Sequence, residues 1–155
     1  MWKAKHSVTL SLIVCGILST ALLAIVFFGP KLFTLYLTAF RGWKPNTESI
    51  RYMGKVFAFC FYPCSGFAAI ILGSLILLLL NIKIGRVFIG QNVALLKIIS
   101  WCCFIIAAIT LAGAFFYMPF GFVALAGAFV GMLLRVLKNI MQSAVELREE
   151  NDLTI

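Results

Sequence analysis

None of the four long apolar runs in this chain of 155 residues contains an Asp, Glu, Lys, Arg or His. Proton-coupled carriers and ion pathways generally place such a residue inside the membrane, so that class of transport has no candidate group here. Acids are scarce throughout. Five Asp and Glu stand against 13 Lys and Arg, for a net charge of +8. Four of the acids, Glu146, Glu149, Glu150 and Asp152, fall in the last ten residues. The single histidine, His6, lies in the N-terminal flank with no ligand set or charge partner in sequence, and reads as a solvated side chain. Cys15, Cys60, Cys64, Cys102 and Cys103 lack zinc spacing and catalytic company, and read as small apolar residues. No phosphate loop, paired-carboxylate site or Ser/His/Asp constellation appears, so neither an enzyme nor a cofactor is expected.

What is abundant is apolar surface. Hydrophobic residues make up 63% of the chain and charged residues 12%, against roughly 45 to 50% and 25% in soluble domains. The charges cluster between uncharged runs, the pattern of spans and loops. A helix needs roughly 20 apolar residues to cross about 30 Å of hydrocarbon. Residues 8–28, 56–80 and 98–118 supply such runs, and 120–134 a shorter one. The expected fold is an all-α integral membrane protein of four transmembrane helices. The first run is longer than a signal-peptide core and ends without a small-residue cleavage pattern, so it reads as an anchor.

Gly29-Pro30 is expected to end or kink the first helix, with 29–55 an external connection containing an interfacial segment, Lys31 to Phe40. Pro45-Asn46, followed by Glu48, reads as a turn and cap leading into the second span, and Pro63 as a kink within it. Residues 81–97 form a basic loop in which Asn92 is a candidate cap for the third helix. Pro119 and Gly121 mark a tight turn, making the last two spans a hairpin. The short fourth run implies a turn sunk below the headgroups and snorkelling by Arg135 and Lys138. Beyond it, Leu137, Ile140, Met141, Ala144 and Leu147 recur at spacings of three and four, which predicts an amphipathic helical tail over 135–155.

Orientation follows from the cations. Lys3, Lys5, Lys83, Arg86, Lys97, Arg135, Lys138 and Arg148 fall on one side, against Lys31, Arg41, Lys44, Arg51 and Lys55 on the other. The positive-inside rule puts the larger set, and both termini, in the cytoplasm of a multi-pass cell-membrane protein. Trp2 and Trp101 then fall at the inner boundary, and Trp43, Tyr52, Tyr62 and Tyr117 near the outer one. Because the cations flank spans, their partner is the lipid bilayer and its anionic headgroups; direct nucleic-acid binding is not expected.

Small residues mark faces for helix packing: Gly127 and Gly131 on the fourth span, Ser65, Ala69 and Gly73 on the second, Ser11, Cys15 and Ser19 on the first. Such steps let backbones approach closely, within one bundle or across a homo-oligomer seam. The cytoplasmic face offers a candidate partner-docking set: Arg86, Gln91, Asn92 and Lys97 from the loop, and Leu137, Ile140, Met141, Leu147, Glu149, Glu150 and Asp152 from the tail. The alternative is that these residues form a solvated exit.

Gly85-Arg86-Val87-Phe88 leading into Gln91-Asn92-Val93 and Leu96-Lys97-Ile98, with the ending Glu149-Glu150-Asn151-Asp152-Leu153-Thr154-Ile155, resembles the bacterial membrane proteins grouped as domain-of-unknown-function 2975. The resemblance covers the whole chain in length and span order. An acidic residue often precedes the loop Asn in that family, whereas this chain has Gln91. The resemblance implies a four-helix membrane protein often encoded beside a small Cro/CI-type helix-turn-helix regulator, and hence a membrane-side partner that holds or senses for a DNA-binding protein. The rival readings are a passive transporter or channel-like protein for an uncharged or lipophilic solute, and a lipid-responsive structural protein.

Overall fold

In the computed structural model, the backbone is described at 2–41 and 48–152, and the side chains at 7–39 and 48–151. Pro45-Asn46, Trp43, Lys44 and the terminal Leu153-Thr154-Ile155 lie outside the described residues, as do the side chains of Trp2, Lys3, Lys5, His6, Arg41 and Asp152. Among the described residues the chain forms four helices: α1 (Trp2–Arg41), α2 (Glu48–Lys83), α3 (Gly90–Ala114) and α4 (Pro119–Asp152). Each is long and apolar enough to cross a membrane.

The helices differ in reach. At 1.5 Å per residue, the 25 residues of α3 extend about 37 Å, little more than a hydrocarbon core, while the 40 residues of α1 extend about 60 Å. The expected connection at 29–55 is therefore mostly helical: α1 passes through Pro30 to Arg41, and α2 starts at Glu48. Pro30 deprives only the Val26 carbonyl of its partner, a loss membrane helices tolerate. Neighbours hold the continuation in place. The Phe33 ring stacks on Phe57 at 4.1 Å, and Leu37 and Ile50 are buried. Pro63 likewise lies inside an unbroken α2.

Backbone approach joins α1 to α2, α2 to α3, and α3 to α4. Each pair is antiparallel. Gly29 lies against Phe61 and Gly54 near Thr34; Gly113 lies against Cys60, while Leu78 clusters with Leu95 and Leu96; Gly127 meets Ala107 and Gly131 meets Cys103. One end of the bundle thus carries the start of α1, the α2–α3 loop and the end of α4; we call this the loop end. The α1–α2 connection and the α3–α4 turn mark the turn end. α3 is the central helix: 44% of its apolar window is buried, against 6% for α1 and 11% each for α2 and α4.

The α3–α4 seam is built on small residues. A Cβ at Gly127 would meet Ala107 and the Cys103 carbonyl at 3.5 Å, and one at Gly131 the Cys103 Cβ at 3.3 Å. Buried Ser100 donates from Oγ to the Gly131 carbonyl at 2.8 Å. Other span hydroxyls, including Ser11, Ser19, Thr20 and Ser65, turn back to carbonyls three or four residues earlier in their own helix. Gly73 has nothing within 4 Å of an added Cβ and sits at no close approach. Its spacing resembles that of the seam glycines; its neighbours do not.

At the turn end, Phe33, Phe57, Phe61, Tyr117 and Phe120 form a continuous set of ring contacts joining α1, α2 and the α3–α4 turn. The third helix ends at Ala114 rather than near Met118. The Gly113 carbonyl accepts from the N–H groups of Phe116 and Tyr117, and Pro119 opens α4, a position where its missing N–H costs nothing. This turn is level with Phe33. α1 continues for eight further residues, roughly 12 Å along its axis.

Candidate functional site

The loop end gathers most of the sequence-derived docking residues, and its shape depends on how α2 stops. Gly85 adopts φ +86°, a left-handed conformation open to glycine at no steric cost. Its N–H donates to the Ile82 carbonyl at 3.0 Å and the Arg86 N–H to the Asn81 carbonyl at 2.9 Å. This pair of bonds is a Schellman ending, which satisfies two orphan carbonyls and turns the chain sharply away. Residues 84–89 then carry it into α3.

Asn92 holds that loop. It is wholly buried, and its Nδ2 donates to the carbonyls of Arg86 and Val87, both at 2.8 Å. Its Oδ1 accepts from Asn81 Nδ2 at 2.8 Å. The side chain is therefore not the expected cap of α3. Ile89, extended and without a side-chain capping bond, occupies the cap position, and Asn92 lies inside the first helical turn. It serves instead as a buried clamp joining the end of α2, the loop and α3. Beneath it, Leu78, Leu95 and Leu96 form a small core against which Ile82, Leu134 and Met141 pack.

α4 runs helically to Asp152, beside the loop. Gly85, Arg86, Phe88, Ile89 and Gly90 face Val145, Arg148 and Glu149 across a groove of about 430 Å³. The tail residues picked out by spacing divide. Met141 packs inward, whereas Leu137, Ile140 and Leu147 are exposed. At 100° per residue these three lie roughly 60° to 140° around the helix from the seam line of Leu134, Met141 and Val145. The expected single apolar stripe is therefore two faces. Val145, buried and on the groove wall, lies one four-residue step beyond Met141 and is missing from the sequence-derived set.

The remaining candidates separate further. Gln91 is exposed beside the clamp, and Glu150 is exposed on the tail. Lys97 lies away from the groove, in a second cavity with Trp101, Arg135 and Lys138. Asp152 closes α4 by its backbone. Glu146 accepts from Gln142 at 2.9 Å, one turn earlier. The structure thus brings Arg86 and Glu149 together, places Asn92 beneath them as support, and assigns Lys97 elsewhere.

A family model described as a protein of unknown function, DUF2975, matches residues 4–155, essentially the whole chain. The chain belongs to the DUF2975 family. No curated protein and no solved structure matches it. Within this DUF2975 member, the loop motif that carries the resemblance is the segment that folds as Schellman ending, clamp and groove wall. Gly85 supplies the turn, Arg86 and Val87 the carbonyls, and Asn92 the amide that binds them.

Proposed function

We propose that this protein is a membrane anchor that holds a small Cro/CI-type helix-turn-helix regulator at its loop end, which faces the cytoplasm. The observation that carries the reading is the groove between the α2–α3 loop and α4, lined by Arg86 and Phe88 from the loop and Val145, Arg148 and Glu149 from the tail. The tail acids Glu146, Glu149 and Glu150 lie on the same stretch of α4 as exposed Leu147. That is a pairing suited to a basic, partly apolar protein surface such as a DNA-binding helix.

Exposed ion pairs contribute only about 0.2 to 1 kcal/mol each. Apolar contact must therefore supply most of the affinity, so a regulator seated in the groove would also have to reach around α4 to the exposed Leu137, Ile140 and Leu147. Single acid-to-amide changes are expected to weaken binding by at most about fivefold, whereas replacing all three apolar residues with serine abolishes it. Met141 is excluded from that set because it packs on the bundle core. Deleting 146–155 should leave insertion intact, since the four apolar runs and most of their basic flanks precede it, and should eliminate capture of the co-encoded regulator from membranes. A truncated chain that inserts and still captures the regulator at full yield would show that the tail is a solvated exit.

A further inference from the structure

Two triplets of side chains meet across the α3–α4 seam near its loop end. On α3, Lys97, Ser100 and Trp101 stand at i, i+3 and i+4; on α4, Arg135, Lys138 and Asn139 repeat the spacing. Each triplet therefore shares one helix face, and together the six residues line a cavity of about 190 Å³. The Arg135 guanidinium lies 5.6 Å above the Trp101 ring, within the range of a cation–π contact. Lys138 Nζ reaches Asn139 Oδ1 at 3.3 Å, and Ser100 Oγ is engaged with the Gly131 carbonyl.

Three cations thus converge where, among the described residues, no carboxylate lines the wall. The nearest acid along α4 beyond them, Glu146, lies eight residues past Lys138 and is engaged by Gln142. Mutual repulsion of three cations around a small cavity is offset when an anion occupies it. The surroundings identify which kind. These residues end the apolar stretches of both helices, and Trp101 is half exposed, as an aromatic at a membrane boundary would be. Toward the turn end the same two faces continue as exposed apolar surface, with Ile105 one turn beyond Trp101 and Met132 three residues before Arg135.

We propose that this cavity binds the phosphodiester of an anionic phospholipid of the phosphatidylglycerol class, with the acyl chains lying along Trp101, Ile105 and Met132. Lys97, Lys138 and Arg135 hold the phosphate oxygens, and Trp101 keeps the Arg135 guanidinium at the boundary. A zwitterionic headgroup fits poorly, because its ammonium would meet three cations and no carboxylate. A free phosphate would satisfy the cations and leave the adjoining apolar surface unused.

The test is native mass spectrometry of the full chain in detergent, titrated separately with dioleoylphosphatidylglycerol, dioleoylphosphatidylcholine and inorganic phosphate. Phosphatidylglycerol should bind at least about tenfold more tightly than phosphatidylcholine. Lys97→Gln alone should weaken it by about fivefold, and Lys97→Gln with Arg135→Gln and Lys138→Gln should remove the preference. Arg51→Gln with Lys55→Gln, at the turn end, should leave it unchanged. Circular dichroism checks that the triple variant keeps its helices; if it does not, the Lys97→Gln result decides alone. Equal binding of the two lipids, an unaltered preference in Lys97→Gln, or displacement of the lipid by millimolar phosphate would overturn the assignment.

Discussion

Gly131→Leu is expected to separate α3 from α4 and to destabilise the protein by roughly 3 kcal/mol, at the upper end of overpacking costs. A Cβ alone at this position already approaches Cys103 Cβ at 3.3 Å and the Phe104 ring at 3.4 Å. A branched side chain has no room unless the backbones part. Parting them also breaks the bond from Ser100 to the Gly131 carbonyl, leaving a buried hydroxyl without its acceptor. Gly127 provides the graded control. Its added Cβ makes ordinary contacts at 3.5 Å, so Gly127→Ala should be neutral or slightly stabilising through its higher helix propensity, while Gly127→Leu should resemble Gly131→Leu. Thermal unfolding in detergent, followed by size-exclusion chromatography, checks the series. Full stability with a changed oligomeric mass would mean that the glycine step joins separate chains rather than α3 to α4.

Asn92→Leu should cost a similar amount and act on the loop before the bundle. Leucine is close in size, but it leaves the Arg86 and Val87 carbonyls and the Asn81 amide without the partner they share. These groups are part-buried, so each orphan costs about 1 kcal/mol, the low end of the range for a buried group. Asn92→Asp separates the chemistry from the volume. A carboxylate keeps the shape, loses both N–H donors and turns negative oxygens toward two carbonyl oxygens, so it should be at least as damaging. Hydrogen exchange would show loss of protection at residues 84–92 in both variants while α3 beyond Ser100 stays protected. Unchanged exchange in that segment would mean the clamp does not hold the loop.

The centres of the helices were legible in the sequence; their ends were not. Uncharged runs of sufficient length have few folds open to them in lipid, because every backbone group must be satisfied within the chain. Where a helix stops depends on its neighbours. Gly29-Pro30 reads locally as an ending, yet α1 continues because Phe61 lies against Gly29 and Phe33 stacks on Phe57, contacts formed with α2. The loop after α2 was legible from its charges, and Gly85 turns the chain there through a positive φ that glycine takes without steric cost. Asn92 was noticed for the wrong reason: an amide near a helix start suits a cap, but only the folded loop reveals the two carbonyls it binds.

Spacing alone was equally blind to direction. Steps of three and four define a helix face without naming its neighbour, so Leu137, Ile140, Met141 and Leu147 read as one stripe although Met141 packs inward and the other three are exposed. The same limit applies to Gly73 and Gly131, alike in sequence context and unlike in surroundings. For the candidate site, Arg86 and Glu149 were legible as charged residues near the ends of their elements, whereas the groove they share required the register of α4 against the loop.

Under the proposed function, a helix-turn-helix regulator sits in the loop-end groove. A benzophenone amino acid placed at position 88, in place of half-exposed Phe88 on the groove wall, tests it in cells that also express a candidate helix-turn-helix regulator. The same probe at position 59, in place of the exposed Phe59 on the apolar span of α2, serves as the lipid-facing control. A light-dependent adduct of chain and regulator is expected from position 88 and none from position 59. No adduct from position 88, or equal adducts from both positions, would contradict it.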